Sequence, residues 1–149
     1  MCMLVLHFCI VSLLISFHDI KTHRIKRHNI YVSSLTLLPL IEITGILFGI
    51  SNFLLYFAIF YISRKNIGYG DVRLSGLVGL YLGGINGNMI DLATMNCFCW
   101  GIAGFWALLR SMQKRERLIE RLAFAPFMFA GLALLYIVNE FEGISEILG

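Results

Sequence analysis

Gly68-Tyr69-Gly70-Asp71-Val72-Arg73-Leu74 sets a carboxylate between a glycine-bearing connection and an apolar run that continues to Gly84. Within that run Gly76, Gly79 and Gly83 fall at spacings of three and four. Small residues so placed let helices approach closely in lipid, where tight packing takes over from the hydrophobic drive. The stretch therefore predicts a membrane helix over Val72 to Gly84 with an acid at its entrance.

The rest of the chain agrees with that environment. It has 149 residues, 58% of them hydrophobic and 14% charged, with a mean hydropathy of +0.80. This composition excludes an ordinary soluble domain and fits a polytopic bundle. A span of about 20 apolar residues crosses the hydrocarbon, which leaves room for about six short crossings in one membrane-embedded domain, 1–149. The net charge of +3 carries less information than its distribution, and nucleic acid is not an expected partner. All 12 bases fall into three blocks, at Lys21 to Arg27, at Arg64, Lys65 and Arg73, and from Arg110 to Arg121.

Outward from the central stretch, the expected crossings are Met1 to His18, two within Asn29 to Ser63, Val72 to Gly84, Met89 to Leu109 and Ala123 to Asn139. The best turn inside Asn29 to Ser63 is Phe48-Gly49-Ile50-Ser51-Asn52, since Gly and Asn tolerate turn angles, and Pro39 bends the helix before it. Ile85-Asn86-Gly87-Asn88 is a second turn, and Pro126 falls in the first turn of the last helix, where proline is tolerated. Six crossings put every basic block on one side, cytoplasmic by the positive-inside tendency, and both termini outside. The tail, with Glu140, Glu142 and Glu146 and no base, fits that side. No small-residue cleavage signal closes the first apolar run, which reads as a retained helix. Arg110 to Leu122 has an apolar side and fits either a headgroup-bound helix or a topological anchor, the latter being the simpler account.

Ionisable groups at membrane depth are functional candidates by default. Asp19, at the end of the first run, and Asp71 both come to the cytoplasmic edge on this topology. Two carboxyls brought together share one proton, so that one activates water and the other donates to a scissile carbonyl oxygen. Gly68 and Gly70 allow unusual angles and close approach of another backbone, so Gly68, Tyr69 and Gly70 are candidates for holding an extended substrate strand. The simpler account is a flexible helix entrance with Asp71 as its N-cap. Helix ends assign Asp71 the base and Asp19 the protonated partner.

Other residues fit plainer roles. Cys2, Cys9, Cys97 and Cys99 form no C-x-x-C pair and read as small buried hydrophobes. His18, His23 and His28 recur every five residues, which lines no helix face, so no metal site is expected. Glu42 falls far from the cytoplasmic edge, and Trp100 and Trp106 read as packing or lipid-facing residues.

Gly68-Tyr69-Gly70-Asp71-Val72-Arg73-Leu74 resembles the Gly-x-Gly-Asp motif of type IV prepilin peptidases, and Asp19-Ile20-Lys21-Thr22-His23-Arg24-Ile25 is similar to that family's other aspartate motif. Ala125-Pro126-Phe127 with Gly131 resembles its last helix, so the likeness covers nearly all the chain. The resemblance implies an aspartic endopeptidase of the inner (cytoplasmic) membrane, needing no metal or organic cofactor, that cuts the basic leader from prepilins or pseudopilins. It carries catalytic roles onto Asp19 and Asp71. The family usually has Pro-Asn directly after the isoleucine of the first motif, whereas here Lys26-Arg27 intervene and Asn29 comes later. The cysteine-bearing region of longer members is absent, so N-methylation is not expected. The alternatives are a catalytically silent membrane scaffold of a pilus or secretion assembly, and a small ion channel or carrier.

Overall fold

The computed structural model describes residues 2–22, 25–63, 67–113 and 123–148. Among them the chain forms six α-helices: α1 Cys2–Thr22, α2 Arg27–Leu37, α3 Ile43–Ile62, α4 Tyr69–Gly84, α5 Met89–Gln113 and α6 Ala125–Leu148. A 3-10 turn over Leu38–Leu40 follows α2. His23, Arg24, Arg64, Lys65 and the basic segment from Lys114 to Leu122 lie outside the described residues.

α1, α3 and α5 are each long and apolar enough to cross a membrane. Their outer faces are what lipid would cover: Phe17 is 72% exposed, Ile43 79% and Ile62 81%. A soluble monomer rarely leaves so much contiguous apolar surface in water.

α4 is the centre of the bundle, in contact with all five other α-helices. Nine of its 16 residues are buried, so both of its sides are covered. α3 instead buries one stripe, Gly45, Gly49, Asn52 and Tyr56, at the three- and four-residue spacing of a single helix face. That stripe lies antiparallel on α4. A Cβ added to Gly79 would come within 2.5 Å of the Phe48 carbonyl oxygen and 2.9 Å of Gly49 Cα, and one added to Gly83 would overlap Gly45 Cα. The helices meet backbone to backbone, and only glycine fits at these crossings.

This packing corrects the expected turn at Phe48 to Asn52, which lies in the middle of α3. The break falls instead at Ile41-Glu42, after the Pro39-containing 3-10 turn. Proline has no N–H for the helix ladder, so Pro39 ends the helix rather than bending it. Gly49 and Asn52, which look like turn residues, serve the contact with α4. The second turn is where the sequence puts it. Asn86 takes a left-handed φ of 56°, and Asn88 starts α5 by accepting from the amides of Ile90 and Asp91 at 2.8 and 2.9 Å, while its own amide donates to Asp91 Oδ2 at 2.8 Å. This reciprocal cap satisfies three otherwise free donors.

Contacts at the helix ends fix their directions. The Asp19 carboxyl meets the start of α6. Phe60, near the end of α3, packs on Tyr69, at the start of α4, with ring centroids 5.6 Å apart. Ile25, just before α2, lies against Gly70. At the opposite end His7 of α1 bonds both Tyr81 of α4 (2.7 Å) and Thr36 of α2 (2.8 Å). α2 therefore runs parallel to α4, and α1 and α3 run antiparallel to it.

Candidate functional site

The buried stripe of α1 consists of Leu4, Val11, Ile15 and Asp19, so the same face that packs the helix carries its acid inward. Asp19 is only 4% exposed. Its Oδ2 accepts a hydrogen bond of 3.1 Å from the backbone N–H of Ala125, the first residue of α6. That amide is one of the donors a helix leaves without an internal partner, and Pro126 beside it has none to offer. Asp19 thus caps a helix remote in sequence.

Asp71 lies in the first turn of α4, three residues after the N-cap Gly68. Its carboxyl folds back over that residue, so that a Cβ on Gly68 would stand 2.9 Å from Asp71 Oδ2. Gly68 has φ −66° and ψ 133°, ordinary extended values, and no described glycine has positive φ. The expected use of unusual backbone angles is therefore replaced by a use of space: Gly68 leaves room for the carboxyl, and Gly70 leaves room for Ile25, whose Cβ would be 3.3 Å from an added Cβ. Asp71 is not the N-cap, since Gly68 holds that position without a side-chain bond.

Asp19 and Asp71 are close enough for their charges to act on each other. The fold thus gathers the two predicted carboxyls into one site. Helix ends no longer separate their roles, because each carboxyl faces a helix N-terminus, Asp19 that of α6 and Asp71 that of α4. On α3 and α5 the Tyr56 hydroxyl and the Cys99 thiol lie 3.7 Å apart. Tyr56 is fully buried, and its ring lies 6.0 Å from Trp100 and 6.4 Å from Phe124. Phe124 directly precedes Ala125, whose amide Asp19 accepts from, so this aromatic cluster lies next to the Asp19 end of α6.

The remaining candidates disperse. Gly68 is exposed beside Asp71, and Gly70 is half-buried under Ile25. Tyr69 is two positions from Asp71, about 200° around the helix, and its ring carries the Arg73 guanidinium at 4.5 Å. Cys99 is buried as expected, whereas Cys2, Cys9 and Cys97 face outward. Trp100 and Trp106 are both partly exposed, and Trp100 packs edge-on against Phe124. Glu42 is exposed at the start of α3, away from both acids. Among the described residues no three His, Cys, Asp or Glu side chains are placed so that they could hold a metal ion.

Sequence reasoning missed a buried polar seam beside the acids. Asn52 Nδ2 donates to the Ser75 carbonyl (2.9 Å), Asn96 Nδ2 donates to Asn52 Oδ1 (3.0 Å) and to the Leu92 carbonyl (2.8 Å), and Ser75 Oγ donates to the Val72 carbonyl (2.7 Å). α3, α4 and α5 are joined by these bonds. The available signal was the placement of lone Asn and Ser residues inside otherwise apolar runs, the residue types that bond between helices in lipid.

Comparison of the chain with protein-family models, curated proteins and solved structures finds no match.

Proposed function

We propose that this protein is a membrane aspartic endopeptidase that removes the basic leader from type IV prepilins or pseudopilins at the cytoplasmic face of the inner membrane. The observation that carries the reading is the burial of Asp19 within electrostatic reach of Asp71, two carboxyls from helices remote in sequence. Such a pair holds one proton between them, because full ionisation of both is costly. The charged member takes a proton from water as it attacks the scissile carbonyl, and the other donates to the carbonyl oxygen. No step requires a metal or organic cofactor.

Six crossings with both termini outside complete the proposal. Lys21, Lys26, Arg27, Arg73 and Arg110 all fall toward the acid-bearing end of their helices, which supports a cytoplasmic orientation for that end. α4, at 16 residues, is about 24 Å long, less than the roughly 30 Å of hydrocarbon, but nine of its residues are buried and the other helices shield most of its surface.

One observation favours a second reading. Asp19 already caps α6, so the acid has a structural use that a catalytically silent scaffold would retain. Co-expression with a prepilin separates the two readings, with a shortened product on a gel as the readout. Asp19→Asn keeps an oxygen for the Ala125 amide, so the protein level persists while cleavage is lost, and Asp71→Asn does the same. Cleavage that survives either change overturns the peptidase reading. No cleavage of any prepilin by the unaltered protein, with loss of folding in Asp19→Ala alone, establishes the scaffold.

A further inference from the structure

Between α2, α3 and α4, on the face of α4 turned away from Asp71, lies a hollow of about 420 Å³. This is within the roughly 300–1,000 Å³ of small-molecule sites. Its floor exists because Gly49 and Gly76 carry no side chains, and its walls include Ile30, Ile46, Phe53 and Leu80. Tyr31, Ile46 and Ile50 at the mouth are exposed, so it opens toward lipid.

The hollow is apolar along most of its length and cationic at one end. Tyr69, Arg73, Gly76 and Leu80 recur every three to four residues and so share one helix face. From Arg73 to Leu80 that face runs about 10 Å. The Arg73 guanidinium carbon lies 4.5 Å from the centre of the Tyr69 ring, a contact with a π face that leaves N–H donors for another group, and among the described residues no carboxylate pairs with it. Arg27 stands one turn before Tyr31 on α2, and because α2 runs parallel to α4 it adds a second base at the same end.

We propose that this hollow is a binding site for one anionic phospholipid, its phosphate on Arg73 and one acyl chain along the Gly49–Gly76 floor. The charge pattern selects the occupant: a fork of N–H donors fits phosphate oxygens, and an apolar hollow beyond it fits hydrocarbon. A phosphate ion would leave the apolar length unfilled, and a zwitterionic lipid would bring a cation to the two bases. The acid pair lies about 200° away around α4, so the site is separate from the proposed chemistry and does not depend on it.

Native mass spectrometry of the detergent-solubilised chain, with added phosphatidylglycerol or phosphatidylcholine, tests this. One phosphatidylglycerol is retained in preference to phosphatidylcholine, and Arg73→Gln weakens its retention on the order of tenfold, the scale of a charge-assisted hydrogen bond. Lys21→Gln, which removes an exposed base outside the hollow, leaves retention unchanged. Gly76→Val, where an added Cβ meets Phe53 at an ordinary 3.5 Å, blocks the chain and lowers retention with the bases intact. Arg73→Lys, which keeps the charge but not the fork, gives an intermediate loss and covers the case in which Arg73→Gln fails to fold. Equal retention of the two lipids, retention unchanged in both Arg73→Gln and Gly76→Val, or displacement of the lipid by millimolar inorganic phosphate overturns the proposal.

Discussion

α4 and α5 each carry a pair of glycines at helical spacing, Gly79 and Gly83 in one, Gly101 and Gly104 in the other, yet the two pairs do opposite things. The α4 pair is pressed against the backbone of α3, while an added Cβ at Gly101 or Gly104 would meet nothing within 4 Å. The difference lies in the partner. α3 offers Gly45 and Gly49 at matching positions, so two bare stripes can interlock. α5 makes its own close contact elsewhere, where Gly131 of α6 fits against the Met95 carbonyl and the Cys99 amide. A small-residue stripe marks a helix seam only when a second one faces it.

The sharpest way to break this contrast is Gly83→Val. Its branched carbon has no place beside Gly45 Cα, and neither backbone can yield without separating α3 from α4. Loss of the folded bundle is expected, a cost beyond about 4 kcal/mol, seen as failure to recover monodisperse protein in detergent. Next comes Asn52→Ala, which leaves the backbones in contact but removes the bonds to Ser75 and Asn96. A destabilisation of about 1–2 kcal/mol follows, measured by thermal unfolding in detergent.

Gly68→Ala probes the glycines at the other end of α4. Here the neighbour is the tip of a side chain, the Asp71 carboxyl, which can turn aside. Stability should stay within about 0.5 kcal/mol, while on the proposed peptidase reading prepilin cleavage slows about tenfold in kcat with KM kept, as expected if Asp71 is catalytic and is displaced by a fraction of an ångström. Gly104→Val gives the smallest effect. With open space around it, no change in melting beyond about 0.5 kcal/mol is expected, and a larger one would show that this face of α5 is occupied.

The same contrast explains what could be read in advance. The end of α4 and the turn at Asn86 follow from local chemistry, a turn-forming Asn-Gly pair after the run to Gly84. α4 itself begins at Tyr69, three residues before the expected Val72, and the burial of Asp19 could not be read from a run that is apolar all round. The junction of α2 and α3 does not follow from local chemistry either. Gly49 and Asn52 satisfy turn and seam equally well by residue type, and only the facing glycines of α4, remote in sequence, decide between them. The proximity of Asp19 to Asp71 was inferable from topology, whereas the bond from Asp19 to Ala125 required knowing where α6 begins.

His7 gives the site a mechanical property. Both ring nitrogens are engaged, one by Tyr81 and one by Thr36, so α1 is pinned to α4 and α2 near the end remote from Asp19. Asp19 lies 12 residues along the same rod, about 18 Å from the pin. There the bond from the Ala125 amide ties α1 to α6, so the rod is fastened at both ends and its carboxyl is held in register with the start of α6.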